Sequence, residues 1–474
     1  MPRLNRVQLE DFSGALQTRT NDALMLDRQV KHVLNGEFSS ALGSIIGRMG
    51  SIVQSTVVSA KQTLNMAQWL KNDGTMKYFA VADDGQATPK VDVYVNSNND
   101  FSGTWSKSLQ DWTTSLNINF TNFANKLFAF NGVDAPVAFD GSTWTAVTNA
   151  PATGIYPEVY NQRLYVLSAN GTLYYSDVIN SSGTDFTTTA WTDRGINPND
   201  GQKGRMLIRH RGRLIIYKDE SIYRYNGTNE PEAVITVGTH SSNSVVLLNE
   251  LYHHHPTGIW RMGVGEPVLI SRSVKKYLDG MDSSNWTNVA GGRDLENVYM
   301  WIGNVTIKDP FAFDYGRSYT DVVLVYNVYS NNWTVFSNWN ARKWYYDSVA
   351  GTTYFATSTG KIVKINTGYS DIDGATANKI QFEVIFQPIN AHFLEKDKEF
   401  DQVFIIGKYS SDILIGKDYE DMKVRSAIEN EIGTANQGIT CKELWVGVSE
   451  EYSDIPPRID ALIVDKINLL SDTL

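Results

Sequence analysis

The sequence predicts an all-β protein: a β-propeller of several three- to four-stranded blades, with an additional C-terminal β domain or arm. Three observations predict it. Short alternating strands separated by Gly or Asn turns recur through the middle of the chain. Aromatic residues are abundant, with 24 Tyr, 19 Phe and 12 Trp, and such side chains pack well across pleated surfaces. Pattern and charge then change together near residue 375.

The length of 474 residues exceeds the roughly 250–300 at which one compact core stops growing. Two domains, or a repeat-built domain with an appendage, are therefore expected. The predicted divisions are an extended N-terminal arm over 1–50, a propeller over 51–375 and an acidic C-terminal β region over 376–474.

In the first 50 residues, "ALMLDRQVKHVLNGEF" offers one partial apolar stripe through Leu24, Val30 and Val33. A short helix or an extended segment crossing another surface would both carry it. From about residue 51 a strand–turn–strand unit recurs, as in "NQRLYVLSANGTLYYSD" and "RGRLIIYKDESIYRYNG". Anchors at Tyr78, Leu127, Leu164, Leu214, Leu251, Val298, Tyr326 and Tyr354 are spaced by 49, 37, 50, 37, 47, 28 and 28 residues. A recurrence of about 40–50 residues holding several short strands is the signature of propeller blades. Ring closure leaves only short strand edges exposed. Asn170-Gly171 lies between two alternating runs and suits a type I′ turn; Asp140-Gly141 and Asn226-Gly227 mark further turns. After residue 375, "KIQFEVIFQPINAHF" places Phe382, Val384 and Phe386 on one strand face.

The formal charge is −10. Residues 381–474 hold 18 Asp or Glu against 9 Lys or Arg, a balance of −9. That excess argues against DNA binding there, since phosphate contact needs Lys and Arg; an acidic contact surface for a neighbouring subunit is the expected use. Cys441 is the lone cysteine, so no intrachain disulfide is expected; assembly in a reducing cytosol, or stability by packing alone, is the expectation. The opening "MPRLNRVQLEDFSG" lacks a signal-peptide core, and no run approaches the roughly 18 apolar residues of a membrane helix.

Candidates for chemistry are few. His253, His254 and His255 cluster in "YHHHPTG", where only His253 and His255 would share a strand face. Zinc wants three or four ligands, and His210, His240 and Cys441 are distant in sequence, so turn or surface use is expected. Asp371 and Asp373 lack the rest of a calcium loop and read as turn residues. No nucleophile, phosphate-loop or metalloprotease motif is present, and no enzymatic activity, metal or cofactor is expected. Arg209, Arg211 and Arg213 would form a basic stripe on one face of a regular strand, facing a neighbouring subunit or DNA.

"DFSGALQTRT" followed by "GSIIGRMG" resembles the opening of tailed-bacteriophage virion proteins of the β-propeller tail, nozzle and connector class. Asp11, Phe12, Ser13, Gly14, Leu16 and Thr18 keep the pattern Asp-Phe-Ser-Gly-Gly-x-Asn-Thr, while Ala15 and Gln17 depart from it. Gly43, Arg48 and Gly50 keep a second pattern, Gly-x-x-x-x-Arg-x-Gly. The resemblance implies a non-enzymatic component of a phage tail or head-to-tail channel, without cofactor, assembled in the host bacterial cytoplasm. Its partners would be copies of itself in a ring, neighbouring tail, portal or adaptor proteins and, transiently, the genomic DNA passing through during ejection. The alternative is a peripheral or tip propeller that binds a host receptor or glycan.

Overall fold

The computed structural model describes residues 3–469 apart from 13, 15, 19–28, 40–42, 85–89, 114–116, 179–190, 198–199, 311, 390–396, 409–410, 419–420 and 430–431. The chain is all-β, and its ring contains six separate small sheets, antiparallel except where Asp371–Asp373 runs parallel to Ser51–Thr56. Blades 1 to 5 are four-stranded meanders that begin with Thr63–Leu70, Asn119–Phe123, Gly154–Tyr160, Gly204–His210 and Val246–Leu248. The sixth small sheet, blade 7, begins with Lys343–Asp347. Between blades 5 and 7 stands one more meander, blade 6, running from Ala290–Arg293 to Asn332–Phe336 within a much larger sheet. First strands of successive blades touch around most of the circle and mark its axis.

Blade 7 closes the ring. Lys343–Asp347, Thr352–Ala356 and Lys361–Ile365 come from the end of the ring sequence, and Ser51–Thr56 from its beginning pairs antiparallel with Lys361–Ile365. Opening the circle therefore requires breaking a β-ladder.

The blade faces are apolar because each strand alternates between two neighbours. Trp69, Phe79, Val93, Leu127 and Phe139 fill the seam of blades 1 and 2; Leu167, Leu207, Leu214 and Tyr225 fill that of blades 3 and 4. Trp339, Trp344, Tyr299 and Phe355 fill the seam of blades 6 and 7, with Tyr299 stacked on Trp344 at 5.0 Å.

The I′ turns fall elsewhere than expected. Ala124-Asn125, Asn161-Gln162 and Arg211-Gly212 join first to second strands in blades 2, 3 and 4, with both residues of each pair at positive φ. At Asn170-Gly171 only Gly171 has positive φ, +83. Asn170 instead accepts a hydrogen bond from the Thr172 N–H at 3.1 Å, an Asx turn.

Both ends of the chain meet in a second β unit. Arg3–Leu9 pairs with Arg458–Leu469, Ile45–Gly47 pairs with the same strand, and Val30–Leu34 pairs with Ile380–Phe386. Two layers joined through Lys423–Glu429 enclose one core, which includes Leu9, Phe12, Val30, Ile45, Phe382, Val384, Phe386, Leu462 and Ile467. The described residues of 3–50 thus supply strands of the C-terminal β unit as much as an arm, and the segment around Val30 and Val33, for which a helix is one expectation, is a strand; Leu24 lies outside the described residues. An isolated arm would expose those apolar faces, whereas pairing buries them. One parallel pairing, Leu34 with Val335, makes this unit continuous with blade 6.

Candidate functional site

Residues that carry the N-terminal resemblance are fold-building. The Phe12 ring packs 5.4 Å from Phe386, and its N–H donates to the Gly43 carbonyl at 2.8 Å. Gly43 has φ +63, and a side chain there would press on Asp11. Leu16 bridges to Val30, Gly14 lies in a turn, and the Thr18 N–H donates to the Ser273 carbonyl at 3.1 Å. Ser13 lies outside the described residues. A β-carbon on Gly50 would sit 2.1 Å from the Ser370 carbonyl oxygen, so only glycine lets these backbones meet.

Arg48 is the centre of this group and is 1% exposed. Its guanidinium grips Asp371 at 2.6 and 3.1 Å, donates to Asn35 Oδ1 at 3.0 Å and lies 4.6 Å above the Trp339 ring. Tyr452 of the C-terminal unit donates to the Arg48 carbonyl at 2.6 Å. Burial pushes the Asp371 carboxyl up, but the charge and hydrogen bonds of Arg48, with hydrogen bonds from Ser51 and Trp339, together offset this and hold it below its ordinary value.

Arg209, Arg211 and Arg213 do not form a single-strand stripe. Arg209 lies near the end of one strand, Arg211 occupies the I′ turn at φ +48, and Arg213 starts the next strand. All three are exposed at one hairpin tip. Arg211 comes within 4.0 Å of Glu250 and Arg213 within 3.8 Å of Glu232. The turn breaks the period-2 alternation on which the stripe depended.

The histidine run is a strand, Glu250–His255, and all three rings are buried. His253 packs edge-on against Tyr217 at 5.1 Å, and His255 reaches Glu220 and His240. Their sequence separation hid this meeting, since ring topology places the end of blade 4 beside blade 5.

A concavity of about 470 Å3 lies where the first strands of the blades converge on the axis. Five blades supply its wall from or beside their first strands: Asn65 and Gln68, Asn119 and Asn122, Tyr156, Met206, then Lys343 and Tyr345. First strands line the axis in a propeller, so their inward side chains are spared from blade packing and free to be polar. Several are held rigidly. Asn65 donates to the Ile118 carbonyl at 2.7 Å, Gln68 to the Tyr78 hydroxyl at 2.8 Å and Asn122 to the Gln68 carbonyl at 2.6 Å.

Lys343 is the cation of this pocket. Half-buried, it donates to Asn243 Oδ1 at 2.7 Å, and no carboxylate pairs with it among the described residues. Burial pulls its ammonium down to about 8. Burial also raises the Tyr156 phenol. The sequence signal for Lys343 is slight: "KWYYD" reads as an ordinary blade strand, with a lysine on the face shared by Tyr345.

No protein-family model matches this sequence, and comparison with curated proteins gives no match. Among solved structures, the extracellular domain of the putative one-component system BT4673 from B. thetaiotaomicron is similar at 10% identity and TM-score 0.45, over 95% of this chain and 63% of that one. YCF48 from Cyanidioschyzon merolae is similar at 10% identity and TM-score 0.43, over 67% of this chain and 98% of that one. PorZ, a surface component of the type-IX secretion system of Porphyromonas gingivalis, is similar at 12% identity and TM-score 0.41; the match covers 71% of this chain and 43% of PorZ. No helix among the described residues is long and apolar enough to cross a membrane.

Proposed function

We propose that this protein is a non-enzymatic recognition module whose axial pocket takes an acidic carbohydrate. The observation that carries this reading is Lys343, a half-buried ammonium with an amide partner and no carboxylate partner among the described residues, inside a polar-walled concavity. A partly desolvated cation without a counter-charge is costly, and a ligand carboxylate would relieve that cost through a charge-assisted hydrogen bond. Asn119, Asn122 and Tyr156 offer neutral donors and acceptors for hydroxyls, while Phe120 and Tyr345 offer ring surface. Polar groups held in fixed positions beside apolar and ring surface give a small-ligand site its orientation and specificity.

The test is an oligosaccharide array with neutral and carboxylate-bearing members. Binding restricted to carboxylate-bearing sugars is expected, with Lys343→Met weakening it by about 10- to 100-fold, the value of a hydrogen bond to a charged group. Affinity is expected to fall as pH rises through about 8, where Lys343 loses its proton. No carboxylate-bearing binder, or equal binding by the variant, overturns the reading.

A second reading, a structural ring component of a phage tail or connector, is favoured by one observation. The positions that keep the virion-protein pattern, notably Phe12, Gly43, Arg48 and Gly50, fasten the terminal β unit to itself and to the ring. The ring closes within one chain around a pocket of about 470 Å3, so a genome channel would run between copies rather than through the propeller. Copies around such a channel would meet through unlike surfaces, one of them acidic. Native mass spectrometry of the full chain, alone and in assembled particles, is expected on this reading to show a closed ring; a monomer in both settings removes it.

A further inference from the structure

Blades 4 and 5 meet at a small seam of Ile215, Tyr217, Ile222, Leu251 and Met262. At its edge three metal-ligating side chains converge. Glu220 sits in the turn between the second and third strands of blade 4, His240 in the link between blades, and His255 at the end of the second strand of blade 5. His240 Nε2 lies 2.7 Å from Glu220 Oε1, and His255 Nε2 lies 2.9 Å from Glu220 Oε2. All three donor atoms fall within 4.8 Å of one another.

We propose that Glu220, His240 and His255 form a zinc site that staples blade 4 to blade 5, with a fourth position open to water. Two imidazoles and a carboxylate form a ligand set zinc accepts, and three protein ligands with an open position is a common zinc arrangement. Nitrogen ligands disfavour calcium and magnesium, which prefer oxygen alone. Bonds of about 2.0–2.2 Å in a tetrahedron place donor atoms about 3.3 Å apart. The two hydrogen-bonded separations need to open by about 0.6 and 0.4 Å, and the half-exposed Glu220 can swing to turn one oxygen toward both imidazoles.

The surroundings prepare these ligands. His255 Nδ1 lies 2.7 Å from Thr257 Oγ1 and accepts the Thr257 N–H at 3.3 Å; a metal at Nε2 would shift the ring proton to Nδ1, where the Thr257 hydroxyl oxygen can accept its hydrogen bond. Metal-bound histidines are ordinarily fixed in this way. The Glu220 turn is itself held, because its N–H and the Ser221 hydroxyl donate to Gln202 Oε1 at 3.0 and 2.8 Å. The His240 ring stands edge-on to Trp286 at 6.3 Å.

The experiment strips the full chain with a chelator and titrates it with Zn2+ by calorimetry, alongside thermal melting. One zinc per chain and a raised melting midpoint are expected. His240→Ala and Glu220→Gln, both at accessible positions, should keep the native circular dichroism while binding at least tenfold more weakly and losing the zinc-dependent rise. Thr257→Val, which removes only the hydroxyl behind His255, should weaken binding by about tenfold. Absence of stoichiometric binding in the wild type, or unchanged affinity in both ligand variants, overturns the assignment.

Discussion

Arg48→Met is expected to destabilise the protein by about 3 kcal/mol in urea unfolding and to leave residues 3–50 far more open to proteolysis. The variant keeps a long side chain but removes the charge that faces Asp371 at 2.6 Å and the donors to Asn35 and the Met49 carbonyl. Removing one partner of a buried ion pair costs about 3–5 kcal/mol, because the other charge is left uncompensated. The Asp371 side chain is 22% exposed, and water reaching it brings the expected value to the lower end. The contacts over Trp339 at 4.6 Å and Phe336 at 5.6 Å add to the loss, since guanidinium–ring pairs are worth about 0.5–1 kcal/mol or more. Arg48→Lys separates charge from geometry: it restores a cation without the two-pronged grip, so partial recovery is expected. A loss below about 1 kcal/mol for Arg48→Met would show that the β unit is held on the ring without this group.

The propeller was legible because it rests on local features: a strand, a turn and an aromatic recur, and every blade repeats the same burial problem. Phe382, Val384 and Phe386 were likewise readable as one face and do enter one core. The partner strands of that core were not readable. Val30–Leu34 carries an apolar pattern too short to choose between helix and strand, and the choice is made by Ile380–Phe386, some 350 residues away. Turn chemistry misled for a related reason. Asn170-Gly171 had the expected residues, yet the tight two-residue connections use Ala124, Gln162 and Arg211 at positive φ. Ladder register on both sides imposes that conformation against local preference, which for Arg211 also dispersed the expected basic stripe. The His240–His255 meeting and the isolation of Lys343 depend on which blades are neighbours, and spacing in the sequence does not encode that.

His32 gives the protein an expected acid sensitivity at the junction of ring and β unit. Its ring is fully buried, with Nδ1 3.0 Å from the Tyr277 hydroxyl and the Phe313 and Tyr319 rings 5.9 Å away. Burial dominates and lowers its pKa from 6.5 to about 4; Glu383 and Asp314 pull it up, while Lys276 and Arg317 push it down. Between these two pH values the unfolded chain binds a proton at His32 that the folded chain does not. Stability from this group is therefore complete above about 6.5 and is lost as pH falls through about 4. The span from 6.5 to about 4 is worth roughly 3 kcal/mol. His32→Gln keeps a polar group near Tyr277 without the titration, so between pH 7 and pH 4.5 the variant should lose about 2–3 kcal/mol less than the wild type. The buried His253 and His254, also lowered by burial, act in both proteins and cancel from the difference. Equal losses would mean that His32 already carries its proton in the folded state, with Glu383, 4.0 Å from Nε2, as its counter-charge. The junction would then be an ion network of His32, Glu383 and Arg317 rather than a neutral ring packed beside one.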